Sequence, residues 1–254
     1  MYPESDSERR GAPDISSYPR VLVVGAGALG CAALRTLVQG SVTVTLVDDD
    51  RVELSNLQRQ VLYGDADIGS FKVDAAAASL AREFRVRISA SALRFHEQTG
   101  PALVAGADIV IDATDDPPTK FLISRLCVDA NTPYIYAGVA RTGGQWMLVV
   151  PGRSACLECA FPAREGIDES AAGCAALGIL APVAGLVGSM QAVTALAFLR
   201  GGGRAKPGRL HTYELTGARS RHIDFTRDPA CYCSGSRGGA GESGSIAAAS
   251  RRTS

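Results

Sequence analysis

The sequence predicts an α/β fold in which a Rossmann-like, mostly parallel sheet carries helices on both faces. Residues 21–24 form a short apolar run that ends in a glycine-rich turn and leads into an alanine-rich helical segment reaching Val38. Residues 42–47 are rich in β-branched side chains and are typical of the next strand. Two strands joined by a crossover helix form a βαβ unit, which requires a parallel pair.

Size and composition agree with this fold. The chain has 254 residues, of which 46% are apolar and 20% are charged, enough for one large domain or two small ones. The 26 basic side chains equal the 26 acidic ones, which argues against nucleic-acid binding through bulk charge. Only three of the basic residues are lysines, so these positions merit attention: Lys72, Lys120 and Lys206.

Helices and strands alternate along the rest of the chain. Further helices are predicted at 75–84, 101–105, 122–130 and about 182–199. Further strands are predicted at 86–90, 107–113, 134–137 and 145–150, with a small C-terminal antiparallel pair at 210–215 and 221–225. We expect one domain over 20–233, a flexible N-terminal arm over 1–19 and a disordered tail over 234–254, where Gly, Ser, Ala and Arg dominate.

The segment 175–199 carries no charged residue and has two interpretations. It is long enough to cross a membrane. Its glycines, together with Pro182 and Gln191, favour instead a helix packed closely inside a protein. Residues 1–19 also lack the apolar stretch of a signal peptide, so we expect a cytoplasmic protein with no membrane span.

The glycine turn of residues 25–30 has the pattern Gly-x-Gly-x-x-Gly. Its glycines (Gly25, Gly27 and Gly30) allow the backbone to approach a phosphate, and the following helix start offers free N–H groups and a partial positive charge. Asp48 ends the next strand, where a carboxylate can accept hydrogen bonds from ribose hydroxyls. The pattern predicts a nucleotide site without specifying which nucleotide.

The loop after Asp48 carries polar side chains suited to a polyphosphate. Arg59 offers a fork of donors to phosphate oxygens, and the later Lys72 offers a compact positive charge. The loop also contains Asp50, Ser55 and Asn56. An ordinary charged surface loop is the alternative interpretation.

Asp115 follows a predicted buried strand, at the edge where ligands of open α/β sheets bind. Mg²⁺ prefers carboxylate oxygens together with phosphates and water, so Asp115 is a candidate magnesium ligand. As an acid just before Pro117 and Pro118, Asp115 would suit a turn or a helix cap equally well.

Seven cysteines in a chain of this kind do not suggest a disulfide framework. Two pairs could supply four thiolates to a structural tetrahedral Zn²⁺: Cys156 with Cys159, and Cys231 with Cys233. The second pair has a single intervening residue, which is a short spacing for zinc.

Cys174 precedes a turn rich in glycine and proline and the long uncharged helix. A thiol near a helix start can be acidified and become nucleophilic. Cys31 and Cys127 have no such surroundings and are expected to be buried packing thiols.

These motifs, in this order, resemble the ThiF/MoeB/HesA family, the bacterial relatives of ubiquitin-activating enzymes. The resemblance covers about residues 20–233 and also includes Gly144-Gln145 and the segment 178–192. It implies an adenylyltransferase that uses Mg·ATP to activate the C-terminal carboxylate of a small ubiquitin-like sulfur carrier ending in Gly-Gly. An acyl adenylate and pyrophosphate would be the products, and a homodimer is the expected assembly.

The resemblance also implies roles for individual residues. Asp48 would hold the ribose, and Asp115 would bind the magnesium ion. Cys174 matches a cysteine with which some members take over the activated acyl group. The triphosphate would be contacted by Asn56, Arg59 and Lys72.

The chain departs from the family pattern in two further places. Residues 1–18 lack the helix whose arginine reaches the partner subunit's phosphate site, which leaves Arg9 and Arg10 as substitutes. Asp116 stands where an asparagine is usual.

Three other functions stay open at this point. The same chemistry could adenylate a peptide or another small carbonyl or carboxyl compound. The chain could be a non-catalytic, ATP-binding partner subunit. An NAD-dependent oxidoreductase would use the same glycine turn but would leave Arg59, Lys72 and the four paired cysteines without a role.

Overall fold

A computed structural model describes residues 17–84, 86, 88–162, 178–201, 203 and 205–235. One sheet of eight strands runs through it in the order β3-β2-β1-β4-β5-β6-β7-β8. Neighbours from β3 to β5 are parallel, and neighbours from β5 to β8 are antiparallel. The strands are β1 (Arg20–Val24), β2 (Thr43–Val47), β3 (Ser89–Ser91), β4 (Ile109–Asp112), β5 (Tyr134–Ala140), β6 (Gly143–Val149), β7 (Arg209–Glu214) and β8 (Arg219–Asp224).

Helices cover both faces of the sheet, so the predicted fold is confirmed. The helices are α1 (Ala28–Leu37), α2 (Lys72–Phe84), α3 (Gly100–Ala105), α4 (Pro117–Ala130), α5 (Leu157–Ala160) and α6 (Ala181–Leu199). One hydrophobic core joins the sheet to α1, α2 and α6, and the other joins it to α3, α4 and α5. Short 3-10 helices lie at Leu54–Asn56, Asp65–Asp67 and Tyr232–Ser234.

Strand β1 is apolar from Val21 to Val24 because both of its faces are covered there. Val21 and Val23 belong to the core beneath α1, whereas Leu22 and Val24 belong to the opposite core. β1 has β2 on one side and β4 on the other, so the strand order reverses next to it. Such a reversal opens a crevice at the carboxyl ends of the strands.

Several elements differ in extent from the sequence prediction. Helix α2 begins at Lys72, three residues earlier than expected, and β3 is limited to Ser89–Ser91. Helix α4 begins at Pro117 because the Asp116 carboxylate caps it, accepting hydrogen bonds from the Thr119 amide at 2.9 Å and the Thr119 hydroxyl at 2.6 Å. Residues 1–16 and 236–254, which make up most of the predicted arm and tail, lie outside the described residues.

Residues 181–199 of the uncharged segment form α6, whose length and mean hydropathy of 1.6 would suit a membrane span. The helix packs on α1 and on strands β4 to β6. Gly188 lies directly on the carbonyl oxygen of Leu29, so that a Cβ at this position would overlap it. This close contact supports the interpretation of α6 as a core helix.

We predict that Gly188→Ala lowers the free energy of unfolding by roughly 1–3 kcal/mol, because a backbone carbonyl in α1 cannot move aside easily. Gly185→Ala is the matched control in the same helix, since a Cβ there meets nothing within 4 Å. The control should leave stability unchanged or raise it by about 0.5–1 kcal/mol. Urea denaturation of both variants measures this, and equal stabilities would contradict the proposed helix contact.

Candidate active site and metal centre

A cleft of about 570 Å³ opens at the carboxyl ends of β1, β2 and β4. It brings together every residue predicted for nucleotide binding except Gly30 and Ser55. The predicted residues that line it are Gly25, Gly27, Asp48, Asp50, Asn56, Arg59, Lys72 and Asp115.

The glycine turn needs two of its glycines for steric reasons. Gly25 has φ +101°, and a Cβ there would lie 2.7 Å from the carbonyl oxygen of Ala113. A Cβ at Gly30 would overlap the Gly25 carbonyl oxygen, so Gly30 allows α1 to start directly above the end of β1. Gly30 therefore shapes the turn without lining the cleft.

Both polar groups of Ala26, inside the turn, are held by side chains. The Ala26 amide donates to Oδ2 of Asp48 at 2.6 Å, and the Tyr63 hydroxyl donates to the Ala26 carbonyl oxygen at 2.7 Å. The other oxygen of Asp48 accepts from the Asp50 amide at 2.8 Å. Burial raises the pKa of the Asp48 carboxyl, and the two backbone donors oppose that shift.

Lys72 enters the cleft from the first turn of α2. Its side chain is only 8% exposed, and Nζ lies 2.6 Å from Oδ2 of Asp50, whose side chain is 66% exposed. The backbones of the two residues are also joined, because the Lys72 amide donates to the Asp50 carbonyl oxygen at 2.9 Å. The ammonium group is thus held at a fixed place beside the glycine turn.

Asn56 and Arg59 are positioned by the 3-10 helix at Leu54–Asn56. The buried Asn56 side chain accepts from the Glu53 amide at 3.1 Å and donates to the Ser55 hydroxyl at 3.3 Å. Arg59 donates from Nη1 to the Ser55 carbonyl oxygen at 3.0 Å. Ser55 is exposed beside the cleft and contacts Asn56 and Arg59, which do line it.

The cap interpretation of Asp115 is wrong, because the neighbouring acid takes the cap position of α4. Asp116 caps α4, whereas Asp115 is exposed and lines the cleft. Asp115 therefore keeps the position in which a carboxylate can meet a ligand of the cleft.

Other residues of the cleft were not predicted. Gln60, Arg51 and Arg94 line it, although no role in the site was predicted for them. Lys120 also lines it, with its ammonium buried among four oxygen atoms. The rarity of lysine in this chain was the only signal that drew attention to Lys120.

The four paired cysteines converge on one point on the α4 side of the sheet, with all four sulfur atoms within 4.8 Å of one another. Sγ of Cys156 lies 3.5 Å from that of Cys231 and 3.8 Å from that of Cys159, which in turn lies 3.5 Å from Cys233. A tetrahedral zinc site with Zn–S bonds of about 2.3 Å has sulfur atoms about 3.8 Å apart. The cluster thus has the dimensions of a zinc site despite the short second spacing.

Nearby groups support the cysteine cluster. The Asp228 amide donates to Sγ of Cys159 at 3.4 Å, and Arg227 donates to the Cys233 carbonyl oxygen at 2.8 Å. The amide contact favours a thiolate at Cys159, because it places a donor on the sulfur atom, and the Arg227 contact holds the backbone of Cys233 in place.

The structure describes two of the three remaining cysteines. Cys31 and Cys127 are fully buried in the two cores, as expected. Burial raises the pKa of the Cys31 thiol to about 11, which keeps it protonated and unreactive near neutral pH. Cys174 lies outside the described residues.

Comparison with known proteins agrees with the motifs. The model of the ThiF family matches residues 6–234. The chain belongs to the ThiF family.

Two curated relatives of this ThiF-family chain match over most of both lengths. The SAMP-activating enzyme E1 of Haloferax volcanii is 35% identical over 222 residues, covering 86% of this chain and 81% of the relative. The molybdopterin-synthase adenylyltransferase of Salmonella typhimurium is 34% identical over 219 residues, covering 85% of this chain and 87% of the relative.

A solved structure of E. coli MccB with AMPCPP and MccA has the same fold as this ThiF-family chain. The TM-score is 0.72 at 26% identity, over 85% of this chain and 67% of MccB.

Proposed function

We propose that this ThiF-family chain is an ATP-dependent adenylyltransferase that activates the C-terminal carboxylate of a small ubiquitin-like sulfur carrier. The observation that carries the proposal is that Arg59, Lys72 and Asp115 line one cleft above the glycine turn. The relatives named as an adenylyltransferase and as a SAMP-activating enzyme support the same class of reaction. An NAD-dependent oxidoreductase would have no use for this combination of groups.

ATP would lie with its ribose at Asp48 and its triphosphate toward the two cations. Each carboxylate oxygen of Asp48 accepts one backbone hydrogen bond and retains a lone pair for a ribose hydroxyl. Lys72 would neutralise phosphate charge while keeping its bond to Asp50, since an ammonium has three protons to donate. Arg59 would bind two phosphate oxygens through its guanidinium, and Asn56 would add an amide.

Asp115 fits Mg²⁺ because it presents a hard carboxylate to the same cleft. The bound ion would neutralise charge on the phosphate oxygens. The residues of the chain then serve to orient the carrier carboxylate toward the α-phosphorus and to stabilise the departing charge. The carboxylate oxygen forms a bond to the α-phosphorus, the bond from the α-phosphorus to the bridging oxygen breaks, and pyrophosphate leaves with that electron pair.

The carrier would approach along the wall of the cleft that contains two glycines. Gly138 and Gly178 line this wall. A carrier ending in Gly-Gly could bring its terminal carboxylate close to the backbone there, because neither partner has a side chain in the way. Cys174 stays a candidate for taking over the acyl group after adenylation.

We further propose that the cysteine cluster binds one structural Zn²⁺ and that the enzyme is a cytoplasmic homodimer. The zinc proposal is supported by the sulfur distances and by the closed set of four ligands. The dimer proposal is supported by the apolar outer side of α6, where Val193 is 48% exposed.

We predict that Arg59→Ala, Lys72→Ala and Asp115→Ala each lower ATP–pyrophosphate exchange by at least about 100-fold. Arg59 and Lys72 would supply positive charge that stabilises the transition state, and Asp115 would hold the magnesium ion that does the same. The assay uses radiolabelled pyrophosphate with Mg·ATP, and candidate carriers ending in Gly-Gly are added one at a time. Lys206→Ala is the matched control, since Lys206 pairs with Asp224 at the far edge of the sheet. Wild-type exchange in all three cleft variants would refute the site.

We predict one zinc per purified chain, measured by elemental analysis. Cys156→Ser should lose the metal and lower the thermal midpoint, because a structural zinc contributes directly to folding free energy. Cys127→Ala is the control cysteine, buried in the core near the cluster, and should retain full zinc content. Wild-type protein without zinc would refute the metal centre.

A further inference from the structure

Strands β4 and β5 separate at the floor of the cleft. Their parallel pairing is limited to Val110 with Tyr134 and Ile111 with Ile135. Beyond these pairs, the chain after β4 turns toward Asp115, while β5 continues to Ala140 alongside β6. We call this divergence the strand fork. Backbone carbonyl groups that face this gap need hydrogen-bond donors from elsewhere.

Lys120 supplies donors to the strand fork from the α4 face. Its Nζ lies 2.6 Å from the Thr114 carbonyl oxygen and 2.7 Å from the Ala137 carbonyl oxygen. The same nitrogen lies 3.2 and 3.3 Å from the two carboxylate oxygens of Asp112. All three protons of the ammonium are therefore used, and the Asp112 carboxylate balances its charge.

Gln191 supplies donors to the strand fork from the opposite face, where α6 packs. Its Nε2 lies 2.7 Å from the Asp112 carbonyl oxygen and 3.2 Å from the Ile135 carbonyl oxygen. The side chain is fully buried. One side chain from each helical layer thus enters the gap and bonds both diverging strands.

The carbonyl groups that Lys120 holds belong to the peptide bonds of two cleft residues. The Thr114 carbonyl is in the peptide that leads to Asp115, and the Ala137 carbonyl is in the peptide that leads to Gly138. Asp115 is the proposed magnesium ligand, and Gly138 lines the proposed carrier wall. The ammonium therefore fixes the metal side of the cleft relative to the carrier side.

We infer that Lys120 and Gln191 are positioning residues, which hold the strand fork at the width that places Asp115 on the magnesium ion of bound Mg·ATP. The inference rests on the proposed function. Since Lys120 has no proton left for substrate, its effect would pass through the Asp115 peptide. Residues that orient a metal ligand typically change metal affinity by 10–100-fold when removed.

The first test is the double variant Lys120→Met/Asp112→Asn. Removing both charges avoids the cost of an unpaired buried charge, so that folding can be retained. Calorimetry would measure the affinity for ATP with and without Mg²⁺. We expect the gain in affinity that Mg²⁺ confers to fall by about tenfold or more, with Mg²⁺-free binding changed by less than about threefold.

Two further variants complete the design. Gln191→Met leaves the Lys120 ion pair intact and should shift the Mg²⁺ dependence in the same direction by a smaller factor. If the double variant does not fold, Gln191→Met alone tests the inference. Lys206→Met/Asp224→Asn removes a lysine–aspartate pair at the exposed edge of the sheet and should leave the Mg²⁺ dependence as in wild type.

The outcomes separate the two proposals. If folded fork variants show the wild-type Mg²⁺ dependence, the positioning role is wrong even when wild-type protein exchanges pyrophosphate. If wild-type protein binds ATP equally well with and without Mg²⁺ and shows no exchange, both proposals are wrong. If the fork variants lose thermal stability without any change in Mg²⁺ dependence, the contacts of Lys120 and Gln191 are only structural, and the inference is wrong.

Discussion

The carboxylate of Asp48 is the contact on which the arrangement of the cleft depends. One of its oxygens holds the Ala26 amide of the glycine turn, and the other holds the Asp50 amide of the following loop. Asp50 in turn pairs with Lys72, both through its side chain and through its backbone. A single half-buried acid therefore links the turn to the cation, and both line the proposed nucleotide site.

This arrangement places acids and cations side by side in one cleft. Asp48, Asp50 and Asp115 would repel a triphosphate if they acted alone. Lys72 and Arg59 offset part of that charge, and a divalent ion at Asp115 would offset more. The site is thus suited to a metal-bound triphosphate more than to a free one. Under the proposed function, the position of Asp115 at the end of the strand fork would therefore matter for catalysis.

Patterns local in sequence predicted the fold and much of the cleft. The glycine turn and Asp48 were predictable because a strand, a turn and a helix start follow one another within few residues. The cysteine cluster was predictable because two closely spaced cysteine pairs identify its ligands. How the fold brings the two pairs together did not have to be known. By contrast, the early start of α2 follows a bridge between Arg51 and Phe71 that no helical pattern reveals.

The strand fork could not be predicted, because its contacts are distant in sequence. Lys120 meets Ala137 and Gln191 meets Asp112 only after α4 and α6 have packed on opposite faces of the sheet. The sequence of α4 marks Lys120 as a rare lysine but gives no sign of its partners. Gln191 lies in an otherwise apolar helix. Its hydrogen bonds to the carbonyl groups of the two diverging strands can be recognised only in the folded structure.

A crystal structure of the protein with Mg·ATP would test the central claim most directly. The account predicts a triphosphate between the guanidinium of Arg59 and the ammonium of Lys72, with the ribose at Asp48. It also predicts a metal ion about 2.1 Å from a carboxylate oxygen of Asp115. A nucleotide bound outside this cleft, or phosphates that contact neither cation, would contradict it.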